Sequence, residues 1–113
     1  MSNGKKRLNE ELIAKLNTRH SIDQTAVNIV FQNATEEVDK TEIELFRSVG
    51  KIDKGVLQEV IKRDFLDKFT VNDNSGFKSI RDLQSGLYSY RLTQFSKDGK
   101  VLVATDYINF QVK

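Results

Sequence analysis

Residue types that catalyse reactions or bind metals are sparse in this 113-residue chain. His20 is the only histidine and cysteine is absent, so neither a metal site nor a catalytic dyad has a second member. We expect His20 to be solvated or to act as a cap, with Asp23 as its partner. Ser21, Ser79 and Ser85 lack the context of a nucleophile elbow. The sequence therefore predicts no catalytic residue, no resident metal and no cofactor.

One group of acidic residues suggests a calcium loop. Asp73 lies between Asn72 and Asn74, and Asp64 and Asp67 precede it. Calcium takes about six to eight oxygen ligands, and its loops usually close with a glutamate. This segment ends in a serine and a glycine instead. An Asx turn is the favoured interpretation, and a weak cation site is the alternative.

Aromatic residues near the C-terminus follow the two-residue period of a β-strand. They are Tyr88, Tyr90, Phe95, Tyr107 and Phe110. Packing in a core is the first interpretation of this set. An exposed platform on which bases or sugars stack is the alternative.

The first eighteen residues combine a basic cluster with the apolar spacing of a short helix, predicted over residues 8–18. Such a short helix is marginal alone, so it needs a surface to lie against. It either folds back onto its own domain or docks into a neighbouring subunit. Three adjacent basic residues make few phosphate contacts, so we do not expect nucleic acid to be the partner. The candidate partner-binding residues are Lys5, Lys6, Arg7, Leu8, Leu12, Ile13 and Leu16.

Charge and hydropathy narrow the protein class further. Residues 1–20 carry five Lys/Arg and two Glu, a net charge of +3, whereas the remaining residues carry a net charge of −1. The near-neutral body lacks the positive face that nucleic acid requires. No apolar run approaches the length of a membrane span. Charged residues interrupt the region where a secretory signal would be apolar, so we expect a protein made in the cytoplasm without that signal.

The residue pattern divides the chain into an arm and linker at 1–25 and a β-rich domain at 26–113. From residue 26 onward the apolar period is two, and turn residues separate the short apolar runs. Residues 50–55 read as one turn between two strands. The predicted strands lie at 26–31, 42–47, 56–62, 69–71, 77–80, 87–95, 101–104 and 107–112, the last two as one strand interrupted near Thr105.

Residues 83–91 are the strongest fold signal. A leucine, a glycine turn and alternating tyrosines suit a tyrosine corner, in which a phenol near the start of a strand bonds back to the preceding turn. Leu83, Gly86 and Tyr88 are the predicted corner residues, and Tyr90 is predicted to pack.

With these motifs, residues 42–113 resemble fibronectin type III and related immunoglobulin-like sandwiches. Glu44-Leu45-Phe46-Arg47-Ser48 is similar to a central-strand phrase of that family, and Lys97-Asp98-Gly99-Lys100 is similar to its last hairpin. No tryptophan fills the core position that the family often gives to one, so Phe31 or Phe46 is expected there. The resemblance implies an all-β, immunoglobulin-like antiparallel sandwich of six to eight strands, here with a short N-terminal helical arm.

An immunoglobulin-like sandwich without a signal, cysteine or catalytic cluster suits a virion, whose parts assemble without secretion. Tailed-phage particles often carry such domains. The expected function is therefore non-enzymatic: an auxiliary or decoration protein of the phage capsid, made in the host cytoplasm and anchored by residues 1–18. The expected partners are capsid subunits or other virion proteins, with a homo-oligomer as a further option and no membrane.

The alternative is a bacterial carbohydrate- or protein-binding β-sandwich module. The last third of the chain also resembles the C-terminal sorting domains of secreted Bacteroidetes proteins, which carry a similar Leu-x-x-Gly-x-Tyr-x-Tyr-Arg phrase. Those domains normally follow a large cargo.

Overall fold

One helix and eight antiparallel strands in two sheets make up the part of the chain that the computed structural model describes, residues 2–72 and 75–113. Side chains in the helix are described from Asn9 onward. The smaller sheet has the order β1-β2-β5; the larger has the order β4-β3-β6-β7, and β8 also pairs with β6. The predicted all-β class is confirmed. The elements are α1 (Ser2–Leu16), β1 (Arg19–Asp23), β2 (Ala26–Val30), β3 (Val38–Asp53), β4 (Val56–Val71), β5 (Phe77–Ile80), β6 (Gly86–Ser96), β7 (Val101–Ala104) and β8 (Ile108–Val112).

The strands β7 and β8 lie end to end along the same side of β6. β7 pairs with residues 93–95 and β8 pairs with residues 86–90. At the interruption, Thr105 Oγ1 accepts a hydrogen bond from Leu92 N at 3.0 Å, and Thr105 N donates to Leu92 O at 2.9 Å. The prediction of one strand interrupted near Thr105 is confirmed.

The hairpin of β3 and β4 is far longer than the sequence pattern predicts. The runs expected at 56–62 and 69–71 are parts of one sixteen-residue strand. The turn is only Lys54 and Gly55, both with positive φ, as in the tightest hairpins. Pairing between β6 and β3 ends at Ser48, so residues 49–62 continue beyond the sheet as a hairpin of two strands alone. Register shifts interrupt the β3–β4 pairing at three places.

The main core lies between the facing sides of the two sheets. Phe31 is buried in it, whereas Phe46 lies on the opposite side of the larger sheet, because alternate residues of a strand point to opposite faces. Phe31 is thus the core aromatic of the two that the sequence offered. The core residues are Val27, Ile29, Phe31, Ile43, Leu45, Val71, Ile80, Tyr88, Tyr90, Leu92, Phe110 and Val112.

A second, smaller cluster attaches the helix. Leu16 is fully buried against Ala34 and Val103, and Leu12 and Ile13 pack partly onto them. The helix begins earlier than predicted, at Ser2, and ends at Leu16. Asn17 follows with φ +46, the left-handed conformation that asparagine tolerates at a helix end.

A buried amide holds the segment that carries this second cluster. Gln94 is fully buried, and its Nε2 donates to Gln32 O and to Thr41 Oγ1, both at 3.1 Å. Its Oε1 accepts from Ala34 N at 3.0 Å. The side chain therefore satisfies backbone groups of residues 32–34 that no strand pairs.

The predicted linker at 19–25 is wrong. Residues 19–23 form β1, which pairs with β2 through a two-residue turn, so the sandwich includes residues before 26. His20 Nδ1 lies 2.8 Å from Tyr90 Oη, so Tyr90 and not Asp23 is its partner. The reason is the strand period: residues 20 and 23 lie on opposite faces, and His20 lies on the face turned toward the larger sheet.

Candidate interaction surface

Hydrogen bonds of the Tyr88 hydroxyl hold the predicted tyrosine corner together. Tyr88 Oη donates to Gln84 O at 2.7 Å, and Arg47 Nη1 donates to Tyr88 Oη at 2.7 Å. Gly86 has φ +145, and a Cβ there would lie 2.2 Å from Arg47 Nη2, so the close approach requires glycine. Leu83 packs against the main core. The Tyr88 hydroxyl and the Arg47 guanidinium thus hold the turn before β6, where Arg47 Nη2 also donates to Ser85 O at 2.8 Å.

The candidate residues of the N-terminal arm divide into two groups. Leu12, Ile13 and Leu16 lie against this chain's own Ala34 and Val103. Their apolar surface is thus at least partly occupied within the domain. The side chains of the other group lie outside the described residues: Lys5, Lys6, Arg7 and Leu8.

Neither a cluster of metal ligands nor a membrane-spanning helix occurs in the described part of the chain. There, no group of three or more His, Cys, Asp or Glu is arranged to hold a metal ion. Asp73 and Asn74 of the suggested calcium loop lie outside the described residues. Among the described helical residues, none belong to a helix long and apolar enough to cross a membrane.

Exposed apolar side chains concentrate on the β3–β4 hairpin. It carries six of the ten large apolar residues that are exposed in the described chain, with Ile61 66% and Phe65 57% exposed. A two-stranded hairpin alone is marginally stable in water. Each Å² of apolar surface that stays exposed to water lacks the stabilisation of about 25 cal/mol that burial would give. A concentration of exposed apolar residues on one hairpin makes it a candidate binding element. The six residues are Val49, Ile52, Val56, Ile61, Phe65 and Leu66.

Three aromatic rings meet on the face of the larger sheet that points away from the core, called the outer face below. The centroid of Phe46 lies 5.8 Å from that of Phe65 and 5.3 Å from that of Tyr107, both in edge-to-face geometry. Phe46 is only 8% exposed, because its neighbours cover it. Phe65 and Tyr107 are exposed, so the group is an aromatic platform with a buried centre.

Arg63 lies beside this platform in a fixed orientation. Its Cζ is 4.2 Å from the Tyr107 ring centroid. Its Nε donates to Ser89 Oγ at 3.1 Å, and its Nη2 approaches Asn109 Oδ1 at 3.4 Å. Ser89 Oγ in turn donates to Asn109 Oδ1 at 2.6 Å and meets Ser48 Oγ at 2.7 Å. These hydrogen bonds hold the guanidinium over the tyrosine ring.

The carboxylates of the outer face are already paired. Glu42 lies 3.6 Å from Lys40 and 3.8 Å from Lys68, and Arg91 Nε donates to Glu44 at 2.8 Å. This hydrogen bond to the Glu44 carboxylate raises the pKa of Arg91 above its ordinary value. No carboxylate in the described chain lies within 4.0 Å of the Arg63 guanidinium.

The aromatic set predicted from the sequence is split between the two faces of the larger sheet. Tyr88, Tyr90 and Phe110 lie in the core, as the first interpretation has it. Tyr107 lies on the outer face, as the alternative has it. Sequence reasoning missed Phe65 and Arg63, because the charged residues around them hide the strand period.

Comparison with known proteins adds no family: no protein-family model matches the chain, and no curated protein matches it either.

Proposed function

We propose that the sandwich is immunoglobulin-like. The strand order supports this: β1-β2-β5 in one sheet and β4-β3-β6 with β7 and β8 in the other follow the order A-B-E and C′-C-F-G of such domains. The bond from Tyr88 to Gln84 near the start of β6 is also where these domains place their tyrosine corner.

We propose further that the chain is a non-enzymatic auxiliary protein of a virion capsid and that the β3–β4 hairpin is its contact with the particle. The observation that carries the attachment is the concentration of exposed apolar side chains on this hairpin. Covering them removes apolar surface from water without any change in the sandwich. The virion setting rests on the immunoglobulin-like resemblance of residues 42–113, a kind of domain that tailed-phage particles often carry.

The N-terminal arm is a second contact in this proposal. Lys5, Lys6 and Arg7 precede the helix residues Leu12, Ile13 and Leu16 that pack on the domain. Removing residues 1–18 would also remove Leu16, which is fully buried. Deleting residues 2–8 is the cleaner variant, because it keeps Leu12, Ile13 and Leu16.

The test is association with particles purified on a density gradient from cells that encode the chain. We expect the chain in these particles at a fixed copy number, detected by mass spectrometry. Added back to particles that lack it, the double variant Ile61→Ser, Phe65→Ser should bind at least about tenfold more weakly than the parent chain. Val101→Ser is the matched control, since Val101 is similarly exposed on the opposite edge of the same sheet.

Two results would overturn the proposal. Absence of the chain from purified particles refutes the virion setting. Undiminished binding of the double variant refutes the hairpin as the contact, and the deletion of residues 2–8 then shows whether the arm replaces it.

A carbohydrate-binding module is the second candidate, and the aromatic platform favours it. The exposed ring of Phe65 offers an apolar face to a sugar, and Asn109 and the Arg63–Tyr107 pair lie nearby with polar groups. Electrophoresis through gels containing soluble polysaccharides tests this function. Retardation that Phe65→Ser abolishes supports it, and equal mobility in all gels refutes it for those polysaccharides.

A further inference from the structure

The outer face also indicates the chemistry of the partner, an inference that rests on the proposed role of the hairpin in attachment. We propose that the partner segment places a carboxylate against Arg63 and an apolar side chain against Phe65. The two residues then form one composite site for a protein segment in which acidic and apolar groups are neighbours.

The charge distribution supports the carboxylate. Arg63 has only uncharged hydrogen-bond acceptors, whereas Glu42 and Glu44 on the same face already pair with cations. Its nearest acidic neighbour in sequence, Asp64, lies 3.5 Å from Lys62. An arginine that is already bonded to Ser89 and lies over Tyr107 needs little further ordering to meet a carboxylate, and such pairs are stronger than neutral hydrogen bonds.

The geometry supports a single composite site. Arg63 and Phe65 are alternate residues of β4, so they point to the same face about 7 Å apart along the strand. The Phe65 ring packs edge-on against Phe46 and leaves more than half of its surface free. A partner that spans both groups presents its carboxylate and its apolar side chain at about that separation.

The charge balance disfavours a nucleic acid in this place. Lys68 and Lys40 on the same face are engaged by Glu42, and Arg91 is engaged by Glu44. A polyphosphate backbone gains affinity from several free cations in a row. Arg63, a guanidinium beside an aromatic ring with no carboxylate partner in the described part of the chain, suits a carboxylate at the end of an apolar group instead.

The test uses N-acetyl-phenylalanine, which carries a carboxylate and an aromatic ring, and its uncharged amide. Two-dimensional NMR of the full chain follows the Arg63 Nε–Hε signal and the Phe65 ring signals. We expect saturable shifts with the acid and about tenfold weaker binding of the amide. Arg63→Gln should lose this preference, whereas Lys68→Gln, which removes a paired cation from the same strand, should keep it.

Comparing the acid with its amide on the unmodified chain tests the composite site even if Arg63→Gln does not fold. Equal binding of acid and amide, or shifts elsewhere than at these two residues, overturns the composite site. If that occurs while Ile61→Ser, Phe65→Ser still loses particle association, the attachment role stands and only its chemistry is wrong. If the probe binds as expected while particle association is unchanged, the composite site stands and the attachment role fails.

Discussion

Replacing the buried amide of Gln94 by a thioether tests how the segment under the helix is held. Gln94→Met keeps nearly the same volume but removes the acceptor for Ala34 N and the donors to Gln32 O and Thr41 Oγ1. No other contact of the core needs to change. The variant therefore isolates the hydrogen bonds from the packing.

The loss in free energy of unfolding depends on whether each group that loses Gln94 as its hydrogen-bond partner is buried or exposed. Ala34 is buried, so its orphaned N–H costs about 1–3 kcal/mol, and the buried Thr41 hydroxyl adds about 1 kcal/mol. Gln32 is exposed, so water replaces the lost partner of its carbonyl. Burial of the thioether returns roughly 1 kcal/mol. The expected loss in free energy of unfolding is about 1–3 kcal/mol, which lowers Tm by roughly 4–12 °C in a domain of this size.

Urea unfolding followed by circular dichroism measures this loss, and a thermal scan measures the shift in Tm. Gln58→Met is the matched control, because Gln58 is exposed and makes only one bond of 3.3 Å, to Val56 O. We expect the control to stay within about 0.5 kcal/mol of the parent chain. A Gln94→Met variant equally close to the parent would refute the view that this amide organises residues 32–34.

Three further predictions concern single positions. Burial lowers the pKa of His20 in the folded chain, so the unfolded chain binds a proton first as pH falls below about 6.5. The free energy of unfolding should therefore fall below that pH, and its difference between the parent chain and His20→Asn should be constant above pH 7. Gly76→Ala should cost more than about 2 kcal/mol, because φ is +62 and the new Cβ would lie 2.2 Å from Phe31 O. Gly99→Ala, with open space around it, should cost about 1 kcal/mol. Equal losses of the two variants in urea titrations would contradict this prediction. Tyr88→Phe removes the bond to the turn and should cost about 1–3 kcal/mol by the same titrations, and an unchanged midpoint would rule out a stabilising corner.

The parts of the fold that the sequence predicts are those governed by local spacing. Tyr88 stands two residues after Gly86, and that spacing is enough to predict a corner. The Asp98-Gly99 pair likewise predicts the turn between β6 and β7, where Gly99 has φ +83. In both places the residues that determine the structure are close together in the chain.

The remaining features depend on contacts between distant residues. His20 and Tyr90 are 70 positions apart, and only the packing of the two sheets brings them together. The outer part of β4 is hidden for another reason: an edge strand exposed on both faces tolerates Lys62, Asp64 and Asp67 without alternation. Arg63 and Phe65 lie in that stretch, so the candidate site could not be located from the residue pattern.

The three register shifts in the β3–β4 pairing determine how this chain can associate with others. A long, flat edge strand with exposed apolar residues would template endless backbone pairing and lead to fibres. Each irregularity in β4 breaks that ladder and increases the local twist, in a chain that has no proline to guard its edges. In the proposed attachment, the hairpin then contacts its partner through side chains and not through backbone pairing. Recognition by side chains saturates after one partner, so the proposal implies a defined number of copies on the particle.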